Sequence, residues 1–268
     1  MPDSILNLRS LTRRFGPVTA VDGISLSVKR GEIFALLGSN GAGKTTTIKI
    51  LTTMLPPSSG EASVAGYDVV SQATQVRRSM GYVPQAISVD GSLTGYENLV
   101  VSAKLYDVPR RERAERVAAA LKLVDLEDAA GRLVRTYSGG MIRRLEIAQS
   151  TLHRPPVVFL DEPTIGLDPI ARASIWQHVT RLRDEFGTTV FFTTHYMEEA
   201  EEFCDRIAIM HRGRISIVGT PEELKASVGS GDSTLDDVFV HHAGGVIETF
   251  TSGYRETSAR RATARRLA

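Results

Sequence analysis

A chain of 268 residues, 42% hydrophobic and 24% charged, is long enough to bury a full core and falls in the range of ordinary globular proteins. A formal net charge of +1 leaves no footprint for nucleic acid, and a single cysteine, Cys204, excludes an internal disulfide and fits a reducing compartment. No apolar run reaches the ~18 residues that span a bilayer and Met1-Pro2-Asp3 opens no signal peptide, so the expectation is a cytoplasmic chain that meets a membrane only through a partner.

Residues 5 to 28 alternate strand-like runs (Ile5 to Leu8, Val18 to Val21, Ile24 to Val28) with turn residues at Gly16-Pro17 and Asp22-Gly23, which predicts a small antiparallel sheet. Phe15, before the first turn, is either an ordinary edge aromatic or a flat face for a base. Gly31 to Leu37 is an apolar run of strand length. It leads into Gly38-Ser39-Asn40-Gly41-Ala42-Gly43-Lys44-Thr45, which fits G-x-x-x-x-G-K-[ST] at every fixed position. Ile48, Leu51 and Leu55 then recur at helical spacing. Strand, glycine loop and helix are in the order of a phosphate cradle: backbone N–H groups turn inward on an anion and the helix aims its positive end at it. Lys44 then reaches the β- and γ-phosphates, and the Thr45 hydroxyl ligates Mg²⁺.

Pro56 to Gly60 is a breaker, Glu61 to Gly66 a short strand, and Gly81 to Val83 a strand running into a loop at Pro84-Gln85. Gln85 is either a plain loop amide or a carbonyl that completes a Mg²⁺ shell or orients a water. From Leu93 to about Gln149 long amphipathic patterns predict a helical insertion, with Val117, Leu121 and Val124 on one face and a solvated charge run from Arg110 to Arg116 on the other. Ser138-Gly139-Gly140 opens a helix with Ile142, Leu145, Ala148 and Leu152 in its apolar stripe. Ser138 reads as an N-cap, or as a second anion site remote from the first.

Val157 to Leu160 is a buried-strand run ending in Asp161-Glu162, and Thr189 to Thr194 is another ending in His195. Asp161 can hold hydrated Mg²⁺ and Glu162 can take a proton from a water, or the two can cap the next helix. His195 is either a hydrogen-bonded structural residue or a partner for a γ-phosphate. Cys204 lies in an apolar helical stretch and reads as a buried, inert thiol. His241-His242 has no further ligand at metal-site spacing.

In this order the motifs resemble the nucleotide-binding subunit of ATP-binding cassette (ABC) transporters over residues 5 to about 240. The resemblance implies an α/β P-loop NTPase core with an N-terminal antiparallel β subdomain and an inserted α-helical subdomain. The cassette is expected over residues 1–228, with the helical insertion at about 93–150 and a C-terminal extension over 229–268. It implies ATP and Mg²⁺ as ligands, with Gly38 to Thr46 as the phosphate loop and Phe15 as the adenine-stacking aromatic. Gln85 is then the Q-loop glutamine, Ser138-Gly139-Gly140 the signature, Asp161 and Glu162 the strand-end acidic pair, Asp168 the D-loop aspartate and His195 the switch histidine. Among these, Lys44, Gln85, Glu162 and His195 carry the catalytic roles, and Thr45, Gln85 and Asp161 hold the metal.

Two departures mark the signature: Tyr137 stands where the family has leucine, and Met141, with no amide, where it has glutamine. That variant, with Thr234 to Phe239 near the C-terminus, is similar to drug-resistance exporters of the daunorubicin/doxorubicin type. The resemblance implies a head-to-tail homodimer with two ATP molecules in its interface and a separately encoded membrane permease, at the cytoplasmic face of the membrane. Drug and lipid efflux both fit. The other reading is a soluble ABC ATPase working on a macromolecular assembly; against it stand the single cassette and the lack of a heptad array. The polar, arginine-bearing end from about Thr251 reads as a solvated, unstructured terminus, or as a basic tail that touches anionic headgroups.

Overall fold

The computed structural model describes residues 4–229 and 233–242. The first two strands, β1 (Ser4–Phe15) and β2 (Val18–Lys29), form one long hairpin rather than three short strands. The Asp22-Gly23 pair does not turn the chain. Gly23 sits within β2 at φ +64, its N–H donating to Thr12 Oγ1 at 3.0 Å, where the register of the hairpin shifts. Next come β3 (Ile33–Leu37), α1 (Lys44–Leu51), β4 (Ser59–Val64) and β5 (Tyr67–Asp68). β4 opens two residues before the predicted strand, taking in Gly60 at φ +82, where a Cβ would lie 2.3 Å from the Ser10 carbonyl oxygen. After α2 (Ala73–Arg78) and β6 (Met80–Val83) comes the predicted helical insertion, as α3 (Gly95–Leu105), α4 (Arg113–Leu123) and α5 (Gly139–Thr151). The remainder is β7 (Val157–Asp161), α6 (Pro169–Phe186), β8 (Thr189–Thr194), α7 (Met197–Phe203), β9 (Arg206–His211), β10 (Arg214–Gly219), α8 (Pro221–Ala226) and α9 (Leu235–His242).

Two sheets result. One is antiparallel in the order β2-β1-β4-β5; the other has the order β10-β9-β3-β8-β7-β6, parallel except for the hairpin of β9 with β10. Strands β3, β7 and β8 are buried along their whole length, which explains their near-continuous apolar sequence. Their side chains alternate between two cores. Ile33, Ala35 and Leu37 join Val158, Phe192, Leu145 and Trp176 under the helices, while Phe34 and Leu36 join Phe159, Phe191, Ile48 and Leu11 under α1 and the antiparallel sheet. Trp176 anchors the helical side, stacking on Phe203 with centroids 4.9 Å apart and meeting Phe192 edge-on at 4.6 Å.

Strands β9 and β10 and helix α9 go beyond the elements read from sequence. Helix α9 opens with a reciprocal cap, in which Thr234 Oγ1 accepts from the Asp237 N–H at 3.3 Å and the Asp237 carboxylate accepts from the Thr234 N–H at 2.9 Å. It buries Leu235, Val238 and Phe239 against α7, α8 and β9. The Cys204 thiol, next to Asp205, is pushed well above its usual pKa, by burial first. The stretch from Thr251 onward, expected to be unstructured, lies outside the described residues.

Candidate nucleotide site

Parallel strands β3, β7 and β8 end side by side, so the loops after their carboxyl ends meet at one edge of the sheet, where ligands of open α/β sheets bind. From β3 comes the glycine loop. Gly43, at φ +108, is the residue before α1, and a Cβ there would sit 2.3 Å from the Ala20 carbonyl oxygen; a Cβ on Gly38 would sit 2.5 Å from that of Met210. Close backbone approach therefore requires glycine at both positions, and at Gly43 the left-handed conformation requires it as well. Lys44 is 4% exposed. Its ammonium donates to the Gly38 carbonyl at 2.8 Å and the Ser39 carbonyl at 3.2 Å, and lies 3.2 Å from Glu162 Oε1.

From β7 come the two carboxylates. Asp161 is 1% exposed, and its Oδ1 accepts from Thr193 Oγ1 at 2.6 Å and Thr45 Oγ1 at 3.2 Å. Tyr82 on β6 feels burial and then the Asp161 charge, which push its phenol up to about 12. Glu162 turns out of the strand at φ +48, an uncommon conformation for a side chain of its size. Its N–H is held by Thr193 Oγ1 at 3.0 Å, and its Oε2 lies 3.2 Å from Nδ1 of His195 at the end of β8. That contact is close but not aligned as a hydrogen bond. His195 above all, and also Lys44, hold the Glu162 carboxyl below its usual range against the opposing pull of burial.

Glu162, Gln85, Lys44, Thr45, Thr46 and the loop from Ser39 to Gly43 line one cavity of about 360 Å³. Two larger concavities, of about 630 and 650 Å³, lie on the antiparallel sheet and beside the end of α3; neither gathers the glycine loop. Residues predicted from three separate stretches thus line one cavity, and His195 joins them through Glu162. Phe15 does not line this cavity: it ends β1, 45% exposed, with the Arg13 guanidinium 4.7 Å over its ring. Asp168 caps α6, accepting from the Ile170 and Ala171 N–H groups at 3.0 Å each. Ser138 caps α5, accepting from the Met141 N–H at 3.3 Å; it and Gly139 are exposed and do not line the cavity of their own chain. Gly140 abuts α6, where a Cβ would lie 2.9 Å from that of Ala171, so the starts of α5 and α6 are packed together.

Tyr137 and Met141, the two departures in the signature, are core residues here. The Tyr137 hydroxyl donates to the Ala129 carbonyl at 2.7 Å, and Met141 packs on the helical core. Two residues that the pattern reading did not single out tie α5 to the Gln85 loop. The Arg143 guanidinium donates to the Pro84 and Gln85 carbonyls at 2.7 and 3.0 Å. Glu146, 2.9 Å from Arg143, accepts from the Ser88 N–H at 2.6 Å and its hydroxyl at 2.9 Å. Burial raises the Glu146 carboxyl, with Arg143 opposing. A paired Arg and Glu one helical turn apart is a common surface pattern, and only their burial distinguishes these.

A buried lysine in a glycine loop at a helix start, with an acidic strand end opposite, defines a P-loop nucleotide-binding protein. Residues 21–165 match the ABC transporter family, and the chain belongs to it. It is 45% identical over 229 residues to the daunorubicin/doxorubicin resistance ATP-binding protein DrrA of Streptomyces peucetius, covering 85% of this chain and 69% of that one. Among solved structures, an ATP-binding subunit of an ABC transporter superposes with a TM-score of 0.79 at 29% identity, over 89% of this chain and 99% of that one. The cassette MJ0796, in a dimeric post-hydrolysis state bound to ADP and phosphate, does so with a TM-score of 0.72 at 27% identity, over 80% and 98%. The chain binds ATP and is an ATPase.

Proposed function

We propose that this chain is the energy-coupling subunit of an exporter, working as a head-to-tail pair on a separately encoded permease at the cytoplasmic face of the membrane. The observation that carries it is the separation of two anion-binding groups in one chain: a complete phosphate cradle at Lys44, and an exposed capped helix start at Ser138 that takes no part in that cradle. A two-fold operation brings the second onto the first of a partner copy, which gives ATP the role of glue. The dimeric cassette among the structural neighbours supports this arrangement.

Within each cavity Lys44 and the loop amides take the β- and γ-phosphates. Asp161 and Thr45 present two oxygens 3.2 Å apart, the hard donors that Mg²⁺ prefers, with Gln85 on the same cavity. Mg²⁺ held by these oxygens would supply positive charge to offset that of the phosphates. Glu162, kept ionised by its neighbours, takes the proton of the attacking water, and His195 holds Glu162 and the γ-phosphate. Loss of the shared phosphate opens the pair, a two-state change that a membrane partner can convert into work.

The coupling surface is the Gln85 loop with the insertion. Ile87, Val101 and Leu105 there are exposed apolar side chains, and Leu105 borders the concavity of about 650 Å³ with Arg77, Arg78 and Tyr106. Among the described residues no helix is long and apolar enough to cross a membrane, so no transport path can be lined by them. The cargo, drug or lipid, is chosen by the permease; the DrrA likeness favours a drug. A mild-detergent pull-down of the tagged Glu162→Gln chain with ATP, from the cells that make it, tests the proposal. The expected result is a multi-span membrane protein in about equal amount. Recovery of soluble assembly factors alone overturns it.

A further inference from the structure

Glu199 lies on α7, is 3% exposed and is not part of the nucleotide cavity. Both its oxygens are used. Oε1 accepts from the Thr164 hydroxyl and Oε2 from the Thr194 hydroxyl at 2.9 Å, while Arg172 Nε on α6 stands 3.6 Å from Oε1. Those threonines are not arbitrary. Thr164 is two residues after Glu162, and Thr194 is the residue before His195. The Thr194 hydroxyl also accepts from the Tyr196 N–H at 3.0 Å, and the Arg172 guanidinium sits 4.5 Å over the Tyr196 ring, so the backbone is gripped on both sides of His195.

We propose that Glu199 is a positioning residue for ATP hydrolysis, one carboxylate that fixes the Glu162 loop and the His195 loop at a set separation. The inference rests on the hydrolytic role of Glu162 given above. An acid in the first turn of a helix can act on the helix dipole alone, but that role asks for a side chain facing solvent or the helix's own N–H groups. It does not ask for a buried one with each oxygen on a different loop. The separation it sets is the 3.2 Å between Glu162 Oε2 and His195 Nδ1. Glu162, in its left-handed conformation, is otherwise held by its N–H to Thr193, by the Ile165 N–H on its carbonyl at 3.3 Å and by Lys44 on its carboxylate. A shift of about 1 Å between groups that must meet one water and one phosphate costs up to ~10²-fold in turnover. Ground-state binding of ATP, which depends on the glycine loop, is spared.

The test compares the full chain with Glu199→Ala, Glu199→Gln and the isosteric pair Thr164→Val/Thr194→Val, with Glu162→Gln alongside. Steady-state ATP turnover, binding of a fluorescent ATP analogue and thermal unfolding are measured on each. Glu199→Ala and the double valine variant are expected to lose roughly ten- to hundredfold in kcat with KM and analogue affinity within about twofold. Glu199→Gln, whose amide oxygen still accepts from one threonine hydroxyl while its NH₂ can donate to the oxygen of the other, is expected to recover part of the loss. Thr164→Val alone, measured alongside, leaves the Glu199 carboxylate bonded to the Thr194 hydroxyl and close to Arg172, so it reports even if Glu199→Ala and the valine pair do not fold, a kcat within twofold of wild type again counting against the inference. Turnover within twofold of wild type in the valine pair, or a kcat loss that only follows lost ATP binding, overturns the inference. If Glu162→Gln turns over normally, the role given to Glu162 fails; if Glu162→Gln is inactive while the valine pair is normal, the role of Glu199 alone fails.

Discussion

Glu162 holds its carboxylate between two basic groups, Lys44 and His195, each at 3.2 Å. Glu162→Gln keeps the shape and the cavity but removes the proton acceptor, so ATP binding is expected to persist while turnover falls by ~10²–10⁴-fold, as read in a steady-state phosphate-release assay. Lys44→Ala acts earlier: equilibrium titration with ATP is expected to show lost affinity, since no other described cation lines the cavity. A different residue contributes to the response to acid. His153 stacks on Tyr106 with centroids 4.0 Å apart, its Nε2 lies 3.0 Å from the Met80 carbonyl oxygen, and burial holds its pKa below 6.5. The unfolded chain therefore takes up a proton at that ring where the folded chain does not. This contribution to stability is full above pH 6.5 and declines as pH falls from there toward the folded value. Thermal midpoints measured from about pH 7 down to about pH 5 are expected to fall, and to fall less in His153→Gln.

At the scale of elements, α5 belongs to two neighbourhoods. Its first residues pack on the start of α6, while Arg143 and Glu146 one to two turns along hold the Gln85 loop. Removing one member, as in Arg143→Leu, leaves Glu146 buried without its cation and is expected to cost about 3 kcal/mol in urea unfolding. Replacing both with apolar residues is expected to restore most of that stability while leaving ATP turnover impaired, because the loop is then released. Legibility in the sequence divides along the same line. The P-loop, the strand-end acids and His195 were readable because local runs of glycine, apolar and polar residues specify them. The Arg143–Glu146 clamp and Glu199 were not, since as letters they match solvated charges and only tertiary packing buries them. The Asp22-Gly23 pair misled for a related reason: a glycine that supplies positive φ to a turn also supplies it to a bulge inside a strand.

For the whole molecule, the proposed pair makes a further demand on Ser138. Ser138→Arg fills an exposed helix start without touching the cradle of its own chain, so the monomer is expected to bind ATP normally. In the Glu162→Gln background, light scattering is expected to show that ATP no longer drives association. ATP-induced dimers of the arginine variant would sink the two-fold arrangement. Helix α5 has one more consequence. About 12 Å of it separates the helix start at Ser138, the end proposed to meet the partner's nucleotide, from Glu146, which with Arg143 holds the loop over the chain's own. In a two-fold pair those links form a closed circuit, so a chain broken at one link disables both chambers. When intact and broken copies are mixed evenly, only about one quarter of the random pairs are intact throughout. A cell making both would lose about three quarters of its working pairs, and the broken copy would act as a dominant poison.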